Sequence, residues 1–321
     1  MRYAILPLLF FLCGLSCRPA LKNSLNSEAP VSEYLIAYNV LVDPEQDNYD
    51  IFTMNPDGSG KRNITNNPDV AWVYQAEGNR LFFLSDRDTS RRMYQLFIMG
   101  PGGENPGRFC HIRMADSWFG SRKNGTELIV KPHDSFDRFL YLIDDKGSVL
   151  QRIDPGTPYC TNPTFSPDGQ TIAFNGKNKR SKREPGYREE IFTIQTDGTG
   201  LKQLSHYPEN DTTAEWFEYR AGPPRWHPGG EFISFQSKQD GKYSLYAVAA
   251  NGERQWKLLD TQWQEGYHSW SPDGKWLAVE LFDAGETQFH IGLVNWESRE
   301  LNILTDTAYR FQQGPVFVKR K

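Results

Sequence analysis

Apolar and polar residues alternate along most of this chain in short runs. LFFLS at Leu81–Ser85, TIAF at Thr171–Phe174 and WLAVE at Trp276–Glu280 are examples of the shorter runs. Longer ones, such as YQLFIM at Tyr94–Met99 and SLYAVA at Ser244–Ala249, come after them. A period of two, rich in aromatic and β-branched residues, is typical of half-buried strands, and no segment keeps a helical period. The pattern therefore predicts an all-β fold of antiparallel meanders.

The turns between these runs recur in similar forms. FSPDGQTIAF at Phe165–Phe174 is nearly repeated by WSPDGKWLAV at Trp270–Val279. A second kind of turn places a glycine after each longer run, at positions 58, 103, 147, 198 and 252, so the period is about 44 to 54 residues. Propeller blades of four strands repeat at about 40 to 50 residues. Six such units can be counted, which predicts a six-bladed β-propeller with four-stranded antiparallel blades.

The first unit lacks an opening strand, because YLIAYNVL at Tyr34–Leu41 already has the character of a second strand. A candidate for the missing strand lies at the other end of the chain. QGPVFVKRK at Gln313–Lys321 resembles an opening strand, with Pro315 and Phe317 at the places of Pro163 and Phe165. We therefore expect the carboxyl-terminal strand to complete the first blade, which would leave no exposed sheet edge. Residues 33–321 would then form one propeller domain.

The phrase Ser-Pro-Asp-Gly has the chemistry of a tight turn. Proline presets φ at the first central position, aspartate bonds backbone amides, and glycine accepts a positive φ. Asp168 and Asp273 are therefore interpreted as structural residues and not as catalytic acids or calcium ligands.

The repeated phrase also carries a resemblance to a known family. PTFSPDGQTIAF with EEIFTIQTDGTGLKQLS, HSWSPDGKWLAVE and DIFTMNPDGSGKRNIT resemble the repeat of the TolB-type six-bladed propellers, over roughly residues 33 to 321. More distantly the chain is similar to oligogalacturonate lyase-like propellers. The resemblance implies the fold. It says little about activity, because this repeat serves periplasmic scaffolds, domains attached to peptidases and polysaccharide lyases.

The amino terminus differs from the rest of the chain. Met1, Arg2 and Tyr3 precede the apolar run AILPLLFFLCGLS, which predicts a secretory signal over residues 1–17 and a polar tether over 18–32. Cys17 after Gly14-Leu15-Ser16 resembles the lipidation site of bacterial lipoproteins; ordinary signal cleavage and an uncleaved anchor are the alternatives. The expected location is the bacterial periplasm or outer membrane, with a lipid anchor in the membrane.

Composition narrows the choice of partner. A formal net charge of −4 gives no electrostatic reason to expect nucleic-acid binding. Aromatic residues make up 14% of the chain, and they serve either strand packing or stacking on sugars and peptides. Cys110 and Cys160 lack the spacing of a zinc site, and they are either a disulfide or two buried thiols.

Function is expected where the blades meet the central channel. Residues just ahead of each opening strand should surround one channel mouth. They are Asp69, Trp72, Asp116, Trp118, Asn162, Glu218, Arg220, Glu265, Tyr267, His268, Gln312 and Gln313. These polar and aromatic side chains predict a ligand site for an envelope protein, peptide or glycan; the alternative is a hydrated mouth without a ligand. The predicted ligand-binding set is Asp69, Asp116, Asn162, Trp216, Glu218, Arg220, Glu265, His268 and Gln313.

His268 stands where other repeats have a proline. The resemblance to oligogalacturonate lyases implies a divalent metal near such a strand, which here would fall to His268 and Gln264. Two ligands are too few for a metal site, so no cofactor is expected. The enzymatic alternative is a polysaccharide lyase with His268, Tyr267, Arg220 and Glu218 as its catalytic groups.

Two insertions enlarge the regular blade. KNKRSKREPGYREE at Lys177–Glu190 is either a solvated loop or a docking surface for an anionic partner. HYPENDTTAEWFEYRAG at His206–Gly222 carries Trp216, Phe217 and Tyr219, and should overhang the channel mouth. No nucleophile elbow, P-loop or zinc-protease motif occurs in the sequence. We therefore predict a monomeric, non-catalytic binding or scaffold propeller.

Overall fold

The computed structural model describes residues 33–179, 187–208, 215 and 217–320. In that part of the chain 24 β-strands form six antiparallel sheets of four strands each, and no helix is present. The predicted six-bladed β-propeller is therefore confirmed. The predicted signal, residues 1–17 with Cys17, and the tether, residues 18–32, lie outside the described residues. No described segment is a helix long and apolar enough to cross a bilayer.

The strands fall into blades in chain order. Blade 1 contains β1 (Tyr34–Asp43), β2 (Asn48–Met54), β3 (Arg62–Asn63) and the last strand of the chain, β24 (Gln312–Lys319). Blade 2 contains β4 (Ala71–Glu77), β5 (Arg80–Ser85), β6 (Gln95–Met99) and β7 (Gly107–Arg113). Blade 3 contains β8 (Gly120–Arg122), β9 (Glu127–Val130), β10 (Leu140–Asp144) and β11 (Val149–Ile153).

The second half of the ring repeats this order. Blade 4 contains β12 (Tyr159–Phe165), β13 (Thr171–Lys177), β14 (Glu189–Gln195) and β15 (Lys202–Gln203). Blade 5 contains β16 (Arg225–Trp226), β17 (Phe232–Gln239), β18 (Lys242–Ala249) and β19 (Gln255–Lys257). Blade 6 contains β20 (Gln264–Trp270), β21 (Trp276–Phe282), β22 (Phe289–Asn295) and β23 (Leu301–Ile303).

Ring closure occurs as the sequence predicts. β24 pairs antiparallel with β1, from Tyr34 opposite Lys319 to Val40 opposite Gln312, and becomes the inner strand of blade 1. The inner strands of the six blades, β24, β4, β8, β12, β16 and β20, contact one another in turn around the channel. The hydrophobic core lies between blades, and each second strand contributes fully buried apolar residues to it.

The Ser-Pro-Asp-Gly turns have the predicted structural role. Asp168 Oδ1 accepts hydrogen bonds from Ser166 Oγ at 2.5 Å and from the Gln170 amide at 3.0 Å. Gly169 follows with a φ of 70°. The bond from Gln170 satisfies a backbone donor within the turn itself. Phe165, just before the turn, is buried under the guanidinium of Arg122, 4.8 Å from its ring centroid.

Cys110 and Cys160 are both buried free thiols in different blades, so the structure selects the second of the two alternatives. Burial raises the pKa of the Cys160 thiol to about 12. A thiol with so high a pKa is unreactive at neutral pH.

A buried polar side chain occupies the same place on the second strand of three blades. These side chains are Asn39 on β1, Asn175 on β13 and Glu280 on β21, each three residues after a buried Ile or Leu. Asn39 Oδ1 accepts from the Val73 amide of blade 2 at 2.7 Å, and Asn175 Nδ2 donates to the Gly222 carbonyl at 2.9 Å. Asn39 therefore links blade 1 to the inner strand of blade 2. Asn175 links blade 4 to the segment just before the inner strand of blade 5.

Glu280 links blade 6 to the closing strand. Its Oε2 accepts a hydrogen bond from the Gly314 amide of β24 at 3.0 Å. A Cβ at Gly266 would lie 2.6 Å from Glu280 Oε1, so the carboxyl group fits under β20 only because this residue is glycine. Burial raises the pKa of Glu280 to about 8.

We expect removal of β24 to abolish folding of the monomer. Truncation after Phe311 would expose the edge of β1 and remove the buried side chains of Val316, Phe317 and Val318. Each such side chain contributes about 1.5–3 kcal/mol, so their sum approaches the whole stability of a typical domain. Size-exclusion chromatography and urea unfolding should show aggregation, whereas truncation after Lys319 should leave a cooperative monomer. A monomeric, cooperatively unfolding chain ending at Phe311 would contradict the role assigned to closure.

Glu280 should make stability fall as pH rises. Between the unfolded pKa near 4.5 and the folded pKa near 8, the folded state holds a proton that the unfolded chain has released. The free energy of unfolding should therefore decline with a contribution from Glu280 of up to about 1.4 kcal/mol per pH unit. Urea unfolding at pH 5, 6, 7 and 8 should show this decline weakened in Glu280→Gln, whose amide oxygen still accepts from Gly314. If the free energy of unfolding fell equally with pH in the wild type and in Glu280→Gln, Glu280 would not be the source of the decline.

Candidate functional site

The six inner strands begin at one end of the channel, where they surround a cavity of about 470 Å³. We call it the mouth cavity. Its walls come from all blades around the opening. The lining residues are Asp47, Tyr49, Val70, Trp72, Tyr74, Leu84, Arg92, Tyr94, Asp116, Trp118, Asn162, Phe217, Arg220, Ala221, Gly222, Pro223, Gln236, Ser237, Tyr243 and Tyr267. Eight of them are aromatic.

Five of these rings form a continuous series of contacts, which we call the aromatic arc: Tyr49, Trp72, Tyr74, Trp118 and Tyr267. Their successive ring centroids are separated by 4.8, 6.3, 4.9 and 5.3 Å. The arc draws on blades 1, 2, 3 and 6, so it exists only in the closed ring. Tilted and edge-on contacts at these distances stabilise aromatic pairs.

Backbone bulges direct part of the arc toward the channel. The pairing of β4 with β5 shifts between Val73 and Gln75, so Tyr74 is left out of the ladder. The pairing of β20 with β21 shifts between Glu265 and His268, next to Tyr267. A bulge inserts an unpaired residue and re-aims its side chain. Burial raises the pKa of Tyr74, whose hydroxyl donates to Asp116 and stays protonated at neutral pH.

Polar groups lie beside the arc. Asn162, at a φ of 56°, accepts from the Trp118 amide at 3.0 Å through Oδ1 and donates to Asn175 at 2.7 Å through Nδ2. The side chain of Arg220 is 44% exposed and pairs with the buried carboxylate of Glu189.

Glu189 also accepts from Lys177 Nζ at 2.9 Å. Burial, with a smaller contribution from the nearby charge of Arg220, lowers the pKa of Lys177 to about 8. Two basic side chains thus converge on one buried carboxylate at the rim of the mouth cavity, and one of them remains accessible to solvent.

The predicted mouth residues divide into two groups. Trp72, Asp116, Trp118, Asn162, Arg220 and Tyr267 are brought together in the mouth cavity. Asp69, Glu218, Glu265, His268, Gln312 and Gln313 are not part of its lining. Trp216 lies outside the described residues. Side-chain direction explains the division between Tyr267 and His268, because neighbouring residues of one strand face opposite sides.

Several residues of the second group make structural contacts. Glu265 is fully buried and accepts from the Leu245 amide at 2.8 Å and from Thr261 Oγ1 at 2.7 Å. Gln312 donates to the Asp306 carbonyl at 2.7 Å. Glu218 accepts from the Glu215 amide at 3.1 Å.

Two more residues of this group are Gln313 and Asp69. Gln313 Oε1 lies 3.5 Å from the hydroxyl of Tyr49, at the edge of hydrogen-bond reach. Asp69 is half-buried, and its amide donates to Asn67 Oδ1 at 2.9 Å.

His268 points into the protein, between blades 5 and 6. Its Nε2 lies 2.7 Å from Ser234 Oγ, which also accepts from Trp270 Nε1 at 2.9 Å. Burial, reinforced by the charge of Arg225, lowers the pKa of His268 to about 3, so the ring is neutral at pH 7. Gln264, its predicted companion, accepts from the Tyr243 amide at 2.7 Å. The described residues contain no group of three or more His, Cys, Asp or Glu placed to hold a metal ion.

The loop from His206 to Gly222 reaches the mouth cavity through Phe217 and Arg220. Lys238 Nζ lies 5.0 Å from the ring centroid of Phe217. Tyr219 instead packs against Tyr207, with ring centroids 5.9 Å apart. The sequence interpretation missed Tyr49, Tyr74, Tyr94, Gln236 and Tyr243 as lining residues. Aligning strand positions would have found Gln236, because it occupies the place of Asn175 in blade 4.

Comparison with known proteins supports the fold more strongly than any activity. No family model matches the chain. A stretch of 122 residues is 28% identical to YuxL of Bacillus subtilis (strain 168), described as an uncharacterized peptidase. That match covers 38% of this chain and 17% of YuxL. The chain thus spans less than a fifth of the length of the curated relatives it matches.

Solved structures match over most of the chain. TolB from Acinetobacter baumannii superposes with a TM-score of 0.66 at 13% identity, over 90% of this chain and 67% of TolB. An oligogalacturonate lyase from Vibrio parahaemolyticus superposes with a TM-score of 0.52 at 11% identity, over 86% and 80% of the two chains. Identities this low establish the architecture and not the activity. This chain therefore has the six-bladed propeller fold found in TolB and in oligogalacturonate lyase.

Proposed function

We propose that this chain is a non-catalytic binding module of the bacterial cell envelope that engages a protein, peptide or glycan at the mouth cavity. The observation that carries the proposal is the aromatic arc, which places five rings from four blades in the wall of the mouth cavity beside Asp116, Asn162 and Arg220. A concave site of several hundred cubic ångströms, walled by aromatics with a few fixed polar groups, is the usual form of a ligand site.

The arc suits a ligand with flat or weakly polar faces. Aromatic side chains lose little conformational freedom on binding and offer both an apolar face and, in Tyr and Trp, a hydrogen-bond donor. The exposed part of Arg220 can meet an acidic group on the ligand while Glu189 holds the guanidinium in place. Both the sugar rings of a glycan and the side chains of a peptide match this combination.

The geometry favours binding over the lyase alternative. Proton abstraction needs a base within hydrogen-bond reach of the substrate. His268, the predicted base, is 3% exposed, and its Nε2 is engaged by Ser234. Tyr267 reaches the mouth cavity, but burial raises the pKa of its hydroxyl far above neutrality. A binding role requires neither group to change its protonation state.

The envelope location rests on the amino-terminal sequence and on the fold. Residues 1–17 have the pattern of a secretory signal, and Cys17 has the position of a lipidation site. The TolB fold is consistent with an exported propeller. In this proposal a lipid anchor at Cys17 and the tether of residues 18–32 hold a monomeric propeller at the membrane.

Loss of an aromatic ring from the mouth cavity should weaken capture of the ligand. The full chain, immobilised, would be incubated with envelope proteins, peptides and glycans, and the captured material measured by mass spectrometry and then by titration. We expect Phe217→Ala to reduce affinity at least tenfold, the usual effect of removing an aromatic anchor. Phe136→Ala removes an equal ring that is 54% exposed and does not line the mouth cavity, and should bind like the wild type. If both variants lost affinity equally, or if neither lost affinity, the mouth cavity would not be the binding site.

Oligouronates should be left intact by this chain. The β-elimination catalysed by a lyase creates an unsaturated uronate whose ultraviolet absorbance rises with time. We expect no rise with or without added Mn²⁺ or Ca²⁺, because His268 is buried and no described cluster of His, Cys, Asp or Glu is placed to hold a metal. A metal-dependent rise that His268→Gln abolishes would establish the lyase alternative in place of the binding role.

A further inference from the structure

The inner strands end at the opposite opening of the channel, where they surround a second cavity of about 530 Å³. It is lined by residues of the Ser-Pro-Asp-Gly turns and by the last residues of the inner strands. At one level of this cavity the strands contribute residues in equivalent registers. These are Gln75, Thr164, Arg225, Ser269 and Val316, which pair with Phe82, Ala173, Ser234, Ala278 and Ala37.

Arg225 is the charged member of this set. The other residues of this set have small, polar or apolar side chains. The blade repeat therefore does not require a charged residue at this position. Arg225 faces the channel, whereas the equivalent residues of this set carry no charge. A cation that the fold does not require points to a functional role.

The guanidinium of Arg225 is deeply buried without a carboxylate. The residue is 9% exposed, and its Cζ lies 4.1 Å from the ring centroid of Trp118. Its Nε donates to the His268 carbonyl at 3.2 Å, and Nη2 donates to the Tyr74 carbonyl at 3.4 Å. Both acceptors are neutral, and no ion pair with a described residue involves Arg225. Buried cations in proteins are usually paired, since an unpaired one is costly.

Arg225 is reached from the second cavity and not from the mouth cavity. A small pocket beside Trp118, Tyr267 and His268 leaves no room for a water molecule and shares lining residues with both cavities. Arg225 lines this small pocket and the second cavity, but it does not line the mouth cavity. The guanidinium is therefore assigned to the second cavity.

The free donors of Arg225 have the geometry of an anion receptor. A guanidinium carries five N–H donors, and two of them meet the carbonyls of His268 and Tyr74. Donors remain on Nη1 and Nη2, and these two nitrogens form the planar fork that accepts a carboxylate or phosphate. We propose that the second cavity binds a small oxyanion, of carboxylate or phosphate size, on Arg225. Burial lowers the pKa of Arg225 to about 9, so the group is still a cation at pH 7.

The other charges of the cavity are compatible with a small anion. With Arg225, the cavity is lined by three cationic side chains, the other two being Arg122 and Lys123. Its lining contains two carboxylates, Glu77 and Asp168, so cationic side chains exceed carboxylates by one. Glu77 Oε2 accepts from Ser121 Oγ at 2.7 Å, and Asp168 is held within its own turn. An oxyanion that reaches Arg225 would add the missing negative charge and satisfy donors that the protein leaves open.

The test uses the full chain at pH 7 and constant ionic strength. Its thermal unfolding midpoint would be followed during titration with sodium acetate, sodium phosphate and sodium chloride. We expect a saturable rise with acetate and phosphate that chloride does not reproduce, because ligand that binds the folded state stabilises it. Arg225→Gln should abolish the rise. Arg225→Lys, which keeps the charge but not the fork, should weaken binding about tenfold.

Lys257→Gln is the matched control, because it removes one positive charge at an exposed site outside the second cavity, and it should respond like the wild type. An Arg225→Gln protein that responds as the wild type does would overturn the proposal, and so would a wild type that responds to chloride as strongly as to acetate. If Arg225→Gln does not fold, the test is the line broadening of ¹³C-acetate by the wild-type protein. Phosphate should reverse this broadening, and the Lys257→Gln control should retain it. The lack of any saturable broadening would then overturn the proposal.

Discussion

Pairing of the last strand with the first is the interaction on which the rest of this structure depends. β24 contributes the inner strand of blade 1, and through it the ring of inner strands becomes continuous. A β-sheet edge carries unpaired donors and acceptors, and closure removes the two edges that a linear array of blades would expose. Both cavities depend on this closure, since each is lined by residues from all six blades.

Buried polar side chains hold the inner strands in register once the ring is closed. Asn39, Asn175 and Glu280 occupy one position of the second strand in three blades. Each satisfies backbone groups left open where the inner strand departs from regular pairing. Hydrogen bonds are directional, so they restrict the position of neighbouring strands along the channel axis more tightly than apolar packing does. The positions of the mouth residues and of Arg225 along this axis depend on these bonds.

Trp118 connects the surroundings of the two cavities. Its ring belongs to the aromatic arc of the mouth cavity and stacks on Arg225, which lines the second cavity. Eight of the twenty residues that line the mouth cavity are aromatic, whereas the second cavity has the buried cation Arg225 in its lining. The two cavities therefore differ in chemistry.

The architecture was predictable because it depends on patterns that recur along the chain. Period-two alternation, turn glycines at a regular spacing and the match of Pro315 to Pro163 predicted the six blades and their closure. The mouth residues were predicted in part. Trp72, Asp116 and Trp118 line the mouth cavity as their place ahead of an inner strand suggested, whereas His268 and Glu265 face the protein interior.

The sequence by itself determined the number of blades, the order of strands and the meeting of the chain's two ends, because alternation and turn chemistry are local. Only the tertiary structure decided which side of an inner strand faces the channel. A bulge between Glu265 and His268 shifts the alternation, so Tyr267 enters the mouth cavity while His268 turns toward Ser234. The unpaired charge of Arg225 likewise appears only when residues from blades 2, 3, 5 and 6 are brought together. Whether a charged side chain is buried or paired depends on residues that are distant in the sequence, so a local sequence pattern does not predict it.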